Sequence, residues 1–159
     1  MKKLILVRHA KSDWSYNVED FQRPLNSRGH KDAPKMAKFL KENGFQIDAF
    51  VTSPAKRALT TCRYFAETFE HSEIEKKEDL YEPHLEDFTK TILYLNDDYS
   101  HVALFSHNPG ISDFASSLTQ NMIEFPTCGV AVFEVDCEEW SQFEGAEKRF
   151  LNFFIPKGI

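Results

Sequence analysis

The chain has 159 residues, 42% hydrophobic and 28% charged, which suits one globular domain over residues 1–159 and excludes a disordered chain. Nineteen Lys and Arg against 25 Asp and Glu leave a net charge of −6, without a basic block, which excludes general nucleic-acid binding. Apolar runs reach only four residues, as in Leu4–Val7, so no membrane span is expected, and Arg8 and His9 come too early after Met1-Lys2-Lys3 for a signal peptide. Cys62, Cys128 and Cys137 form no CxxC pair and predict neither a disulfide framework nor a zinc knuckle, so the expected compartment is the cytoplasm.

Residues 3–7 read as a buried strand, apolar on both parities, and residues 8–25 as an irregular polar stretch. A helix follows, with Ala33, Met36, Ala37 and Leu40 on one face and Asn43-Gly44 as its stop. Asn26 and Asp32 both fit as its N-cap. Asn26 is preferred, which leaves Pro34 inside the helix. Residues 48–52 form a second strand, and Ser53-Pro54 starts a helix with Ala55, Ala58, Leu59, Cys62, Ala66 and Phe69 on its stripe. A short edge strand within 73–79, a helix over 86–95 with Phe88, Ile92 and Leu95 inward, and a buried strand over 101–106 come next. Asn108-Pro109 repeats the cap-plus-Pro signal before Ile111, Phe114, Ala115 and Leu118, and strands near 129–135 and 149–155 close the chain. The alternation predicts a three-layer α/β/α sandwich with a mostly parallel central sheet and an antiparallel edge made by the last two strands.

Three strands end in chemically unusual residues: Arg8-His9, Ser53-Pro54 with Arg57 one turn later, and Ser106-His107-Asn108-Pro109. Ligands of open α/β sheets bind at the carboxyl ends of strands, so these segments are expected to converge on one crevice. Two guanidiniums, two imidazoles and two helix N-termini make a site for a dianionic phosphoryl group. One imidazole attacks phosphorus and the other stabilises charge. Each feature alone has a blander reading, as a surface histidine, a solvated cation or a helix cap; only the combination points to phosphate. A metal held by His9, His107 and Asp13 is disfavoured, because Arg8 and Arg57 repel the cation, and no cofactor of any kind is expected. His30, His71, His84 and His101 read as surface residues. Trp14 reads as an anchor for its loop, and Ser106 as packing or hydrogen-bonding beneath His107.

Leu6-Val7-Arg8-His9-Ala10 resembles the Arg-His signature of the histidine phosphatase (phosphoglycerate-mutase-like) superfamily. Arg8 to Trp14, Arg23-Pro24-Leu25-Asn26-Ser27-Arg28-Gly29, Thr52 to Ala58, Leu80-Tyr81-Glu82, Ser106 to Gly110 and Pro126 to Ala131 are similar, in order, to its small SixA-like branch of phosphohistidine phosphatases. The resemblance implies a phosphoglycerate-mutase-like fold, with His9 as a nucleophile that becomes a transient phosphohistidine. It also implies a phosphate pocket of Arg8, Arg57 and His107, to which Asn108 is added as a binding candidate. Larger members use an acid to protonate the leaving oxygen. Glu82 is the best-placed match and Asp13 the second candidate.

The expected function is therefore phosphatase action on phosphohistidine in proteins. A small-molecule phosphomonoesterase of the same mechanism is the enzyme rival, favoured by a functional Glu82, and a phosphate- or phosphoprotein-binding module is the non-enzyme rival. Retention of His9 beside Arg8, Arg57 and His107 speaks against the binding module, which has no need of a nucleophile. At 159 residues there is little room for insertions that cap the pocket, which suits a side chain presented by another protein and disfavours a mutase. The partner expected is thus a phosphorylated protein or a small phosphate compound, with specificity set by the loops near 12–23, 82–86 and 120–128.

Overall fold

The structure, a computed structural model, describes residues 1–159. Six strands form one sheet: β1 (Lys2–Arg8), β2 (Ala49–Thr52), β3 (Glu75–Lys76), β4 (His101–Ser106), β5 (Val130–Val135) and β6 (Lys148–Phe154). Their order is β3-β2-β4-β1-β5-β6. The first four run parallel, β5 runs antiparallel to its neighbour β1, and β6 pairs antiparallel with β5 to close a hairpin at one edge. The expected three-layer sandwich is therefore present. Four helices cover it: α1 (Ser27–Glu42), α2 (Lys56–Thr68), α3 (Leu85–Leu93) and α4 (Gly110–Ser117). No helix is long and apolar enough to cross a membrane.

The pleat of β1 explains the layering. Leu4 and Leu6 face one core with Phe88, Ile92 and Phe114 of α3 and α4, while Ile5 and Val7 face the other with Met36 and Leu40 of α1 and Phe65 of α2. Every residue from Leu4 to Val7 is buried because both faces of this central strand are covered. In contrast β6, at the edge, alternates between half-buried and exposed positions. Phe88 and Phe114 stack with centroids 4.7 Å apart, clamping α3 to α4.

Helix α1 begins where Asn26 predicts: its side-chain Oδ1 accepts the Gly29 N–H at 2.8 Å, and Pro34 is accommodated within the helix. Gly29 is required here by contact, not conformation. A Cβ at this position would lie 2.2 Å from the Lys11 carbonyl oxygen, so only glycine lets α1 pack onto the backbone that leaves β1. Asn26 N–H donates to Lys11 O, and Ser12 bridges Leu25, so the stretch after β1 is pinned to the start of α1.

Two helix starts differ from expectation. Helix α2 starts at Lys56, two residues after Pro54, because Ser53 Oγ takes the Ala55 N–H and turns the chain before the helix begins. Its buried stripe includes Thr61 and Phe65, while Leu59 and Phe69 are only half-buried. Asn108 does not cap α4. Its amide is held by Phe125 and Ser112, and the helix starts beyond the cis Asn108-Pro109 bond with no side-chain cap.

Candidate active site

The ends of β1, β2 and β4 converge on a cavity of about 1130 Å³, only two of whose 18 lining residues are hydrophobic. Arg8, His9, Arg57, Glu82, His107 and Asn108 all line it, so the strand ends bring these six candidates to one place.

His9 is fixed through its backbone on both sides. Its N–H donates to Ser106 O at 3.2 Å, and its carbonyl accepts the Cys128 N–H at 3.0 Å. The next residue, Ala10, donates its N–H to Thr61 Oγ1, which itself donates to the Arg57 carbonyl in α2. The imidazole Nδ1 lies 2.7 Å from Ala10 O. A carbonyl only accepts, so Nδ1 carries the proton and Nε2 keeps its lone pair. Burial, helped by the charges of Arg57, Arg8 and Arg23, pushes the pKa of His9 down to about 3, so the ring is a neutral base at physiological pH.

His107 stands opposite, its ring centroid 5.1 Å from that of His9. Ser53 Oγ lies 2.7 Å from its Nε2 and already accepts the Ala55 N–H. Nε2 is the acceptor within reach of this buried hydroxyl proton, so Ser53 donates to Nε2 and His107 Nδ1 carries the ring proton. Burial, then the neighbouring His9 and Arg57, lowers its pKa to about 2. This ring too is neutral and acts as a hydrogen-bond donor. Ser106 does not bond His107; its hydroxyl donates to Leu80 O at 2.7 Å and ties the segment before Glu82 to β4.

Three arginines surround the rings. Arg8 Nη1 donates to Phe125 O at 2.9 Å. Arg57 Nη1 and Nη2 grip Asp20, through its carbonyl at 2.7 Å and its Oδ2 at 3.0 Å. Arg23 donates to Asp20 Oδ1 at 2.9 Å and to Ser12 Oγ. Tyr81 OH completes the cluster, donating to Asp20 Oδ2 at 2.7 Å. Burial alone would raise the Asp20 carboxyl, but hydrogen bonds from Tyr81, Arg23 and Arg57 outweigh it and hold the group well below the usual carboxylate range. Burial, and then the Arg57 charge, lowers the pKa of Arg8.

The buried side-chain polar atoms without a partner are Nε of Arg8, Arg23 and Arg57 and Nδ1 of His107, and all four belong to this site. Buried donors are almost always satisfied in proteins, so this set is matched to an acceptor with several oxygens and negative charge. The surroundings favour an anion over a metal cation.

The remaining candidates separate. Glu82 is exposed on the cavity wall, in a left-handed backbone conformation (φ 50°). Asn108 donates to Phe125 O and accepts from Ser112 Oγ, which leaves one amide proton unpartnered. Asp13 is not on the cavity wall. Its carboxylate is bonded to the Ser15 N–H and hydroxyl. Trp14, read as a loop anchor, lines the cavity with 78% of its surface exposed and lies over the Arg23 guanidinium at 3.6 Å. His84, read as a surface residue, is exposed but also lines the mouth. Asp20, Arg23 and Tyr81 are additions that the sequence reading did not single out. Arg23 and Tyr81 lay within the family-like segments, whereas nothing local marks Asp20.

A family model described as the histidine phosphatase superfamily (branch 1) matches residues 4–110. An uncharacterised protein of Mycobacterium leprae is 29% identical over 169 aligned positions, covering 95% of this chain and 100% of that protein. Among solved structures, SixA of Agrobacterium tumefaciens superposes with a TM-score of 0.83 at 24% identity, over 98% of each chain. The protein histidine phosphatase SixA complexed with tungstate superposes at 0.85 and 21% identity, over 98% of this chain and 97% of that one.

Proposed function

The chain belongs to the histidine phosphatase superfamily and is a phosphatase of the histidine-nucleophile type, and from that premise we infer that His9 is its nucleophile and phosphohistidine on a protein its substrate. The observation that carries the reading is the set of four unpartnered buried donors around a neutral His9. A phosphoryl group seated among them accepts from Arg8, Arg23, Arg57 and His107, while His9 Nε2 faces phosphorus with its lone pair available.

Attack forms the Nε2–P bond as the bond from phosphorus to the leaving imidazole breaks, and that imidazole leaves once protonated. Water then attacks the phosphoryl group on His9, releasing inorganic phosphate and restoring the free ring. The Nδ1–H···O bond to Ala10 holds the ring's orientation and tautomer through both steps. The guanidiniums spread the charge of the transferred group, so positioning and electrostatics lower the barrier. The wide, hydrophilic cavity suits a side chain presented by a second protein, and the SixA likeness supports the same choice. Three free cysteines suit a reducing, cytoplasmic setting.

A second reading, hydrolysis of a small phosphate ester, is favoured by the place of Glu82 on the cavity wall, where a carboxyl can protonate an alkoxide. Intact-mass spectrometry, quenched within seconds of mixing with phosphoramidate or a phosphohistidine peptide, separates these possibilities. One phosphoryl mass on the wild type and none on His9→Ala is the expected result, with the peptide turned over faster than a sugar phosphate. Absence of both adduct and released phosphate would overturn the catalytic reading.

A further inference from the structure

A second region of the surface has a chemistry that phosphoryl transfer does not use. A depression of about 530 Å³ runs beside α1 to the C-terminal turn, and its wall carries Arg28, Lys31, Lys35 and Lys157. A smaller hollow of about 160 Å³ shares Arg28 and Lys157 with it, and Lys11 and Thr127 with the catalytic cavity, so the three adjoin in series. The only acid on either wall is Asp32, already paired with Arg28 at 3.5 Å. Lys11, Lys31, Lys35 and Lys157 are exposed and take part in no ion pair; Lys35 reaches only the Pro156 carbonyl, at 3.4 Å. Arg28, Lys31 and Lys35 recur at i, i+3 and i+7, so they share one face of α1 and span about 10 Å of its axis.

On a chain of net charge −6, such a concentration of unpaired cations is a local inversion of the field. It differs in kind from the catalytic cavity. One small anion is held by converging, desolvated donors, whereas these cations are solvated and strung out along a line. That geometry matches an extended, negatively charged chain. Neither hollow has an aromatic residue on its wall to stack a base, and the acidic remainder of the surface repels a long polyanion, which favours polypeptide over nucleic acid.

We propose that this trough docks an acidic stretch of the substrate protein, beside the phosphorylated residue that enters the catalytic cavity. The proposal rests on the phosphoprotein reading above. It makes the trough a source of substrate selectivity that the catalytic residues do not supply.

The test uses Lys31→Glu/Lys35→Glu/Lys157→Glu, whose positions lie outside the catalytic cavity. Labelled peptides carrying a non-hydrolysable phosphohistidine analogue, flanked either by Asp/Glu or by Gly/Ser, are titrated into the chain with His9→Ala and followed by fluorescence anisotropy. The acidic peptide is expected to bind about tenfold tighter, as three exposed ion pairs together supply, and the advantage should vanish with the charge reversal or at high salt. Phosphoramidate hydrolysis by the triple variant on the active background should match wild type. Equal binding of the two peptides, or an advantage that survives the reversal, would overturn the proposal. Tighter binding of a labelled single-stranded oligonucleotide than of the acidic peptide would overturn the choice of partner. Because anisotropy reads docking without turnover, flank-dependent binding with no hydrolysis of phosphohistidine would sink the substrate reading alone. Hydrolysis without flank dependence would sink the docking alone. If the reversal unfolds the chain, seen as lost phosphoramidate turnover, Lys→Gln at the same three positions replaces it, with the same direction expected.

Discussion

Acidification should unfold this protein through its own active site. His9 and His107 are buried and neutral, with pKa values pushed down to about 3 and about 2, while in the unfolded chain each returns to about 6.5. As pH falls below 6.5 the unfolded chain takes up protons that the folded chain refuses, so stability falls with pH until the folded values are reached. Between pH 7 and pH 5 each ring costs about 2 kcal/mol, hence about 4 kcal/mol together, a large part of a typical domain's stability of about 5–15 kcal/mol. Asp20 acts in a different window: its depressed pKa adds stability that is present above the ordinary carboxylate range and lost only in stronger acid. Urea unfolding followed by circular dichroism across this range gives the slope directly. His9→Asn removes one of the two titrating rings and should halve the loss, whatever it does to stability at pH 7. A flat profile from pH 7 to pH 5, or an unchanged slope in His9→Asn, would refute the idea that buried neutral imidazoles dominate the acid response.

Arg57→Ala removes a donor that the proposed mechanism assigns to the phosphoryl group and should lower kcat by about 10²–10³ while circular dichroism shows a folded domain; unfolding would mean that Arg57 is structural. Asp20→Ala frees the Arg57 and Arg23 guanidiniums from their shared carboxylate, and misplacement on the order of 1 Å should cost about 100-fold in kcat/KM with the fold retained. Unchanged kinetics would show that the arginines are held without it. Gly29→Ala forces a methyl group into the Lys11 carbonyl, so thermal denaturation should show a loss of about 1–3 kcal/mol, and activity should fall as the backbone beside His9 shifts. An unaltered Tm would mean that α1 slides away at little cost.

What could be read from the sequence, and what could not, follows from how far each residue's partners lie along the chain. Arg8-His9, Arg57 and Ser106-His107 were legible because each follows a buried strand, and a parallel sheet places the carboxyl ends of its strands along one edge. The Asn26 cap was legible because its partner, Gly29, is three residues away. Asn108 carried the same local signal as a cap, yet its amide went to Phe125, 17 residues distant, and to Ser112. The loop after His9 shows no periodicity, and Asp20 within it meets Arg57 and Tyr81 from 37 and 61 residues away. No pattern in residues 8–25 marks that carboxylate, but the charge balance of the site calls for one. Three arginines gathered in one cavity repel one another, and burial together with the Arg57 charge lowers the pKa of Arg8. A carboxylate that stays ionised can hold two of those arginines through their Nη groups and leave each Nε free. Asp20 thereby keeps the cations assembled without occupying the Nε donors that the proposed mechanism assigns to phosphate.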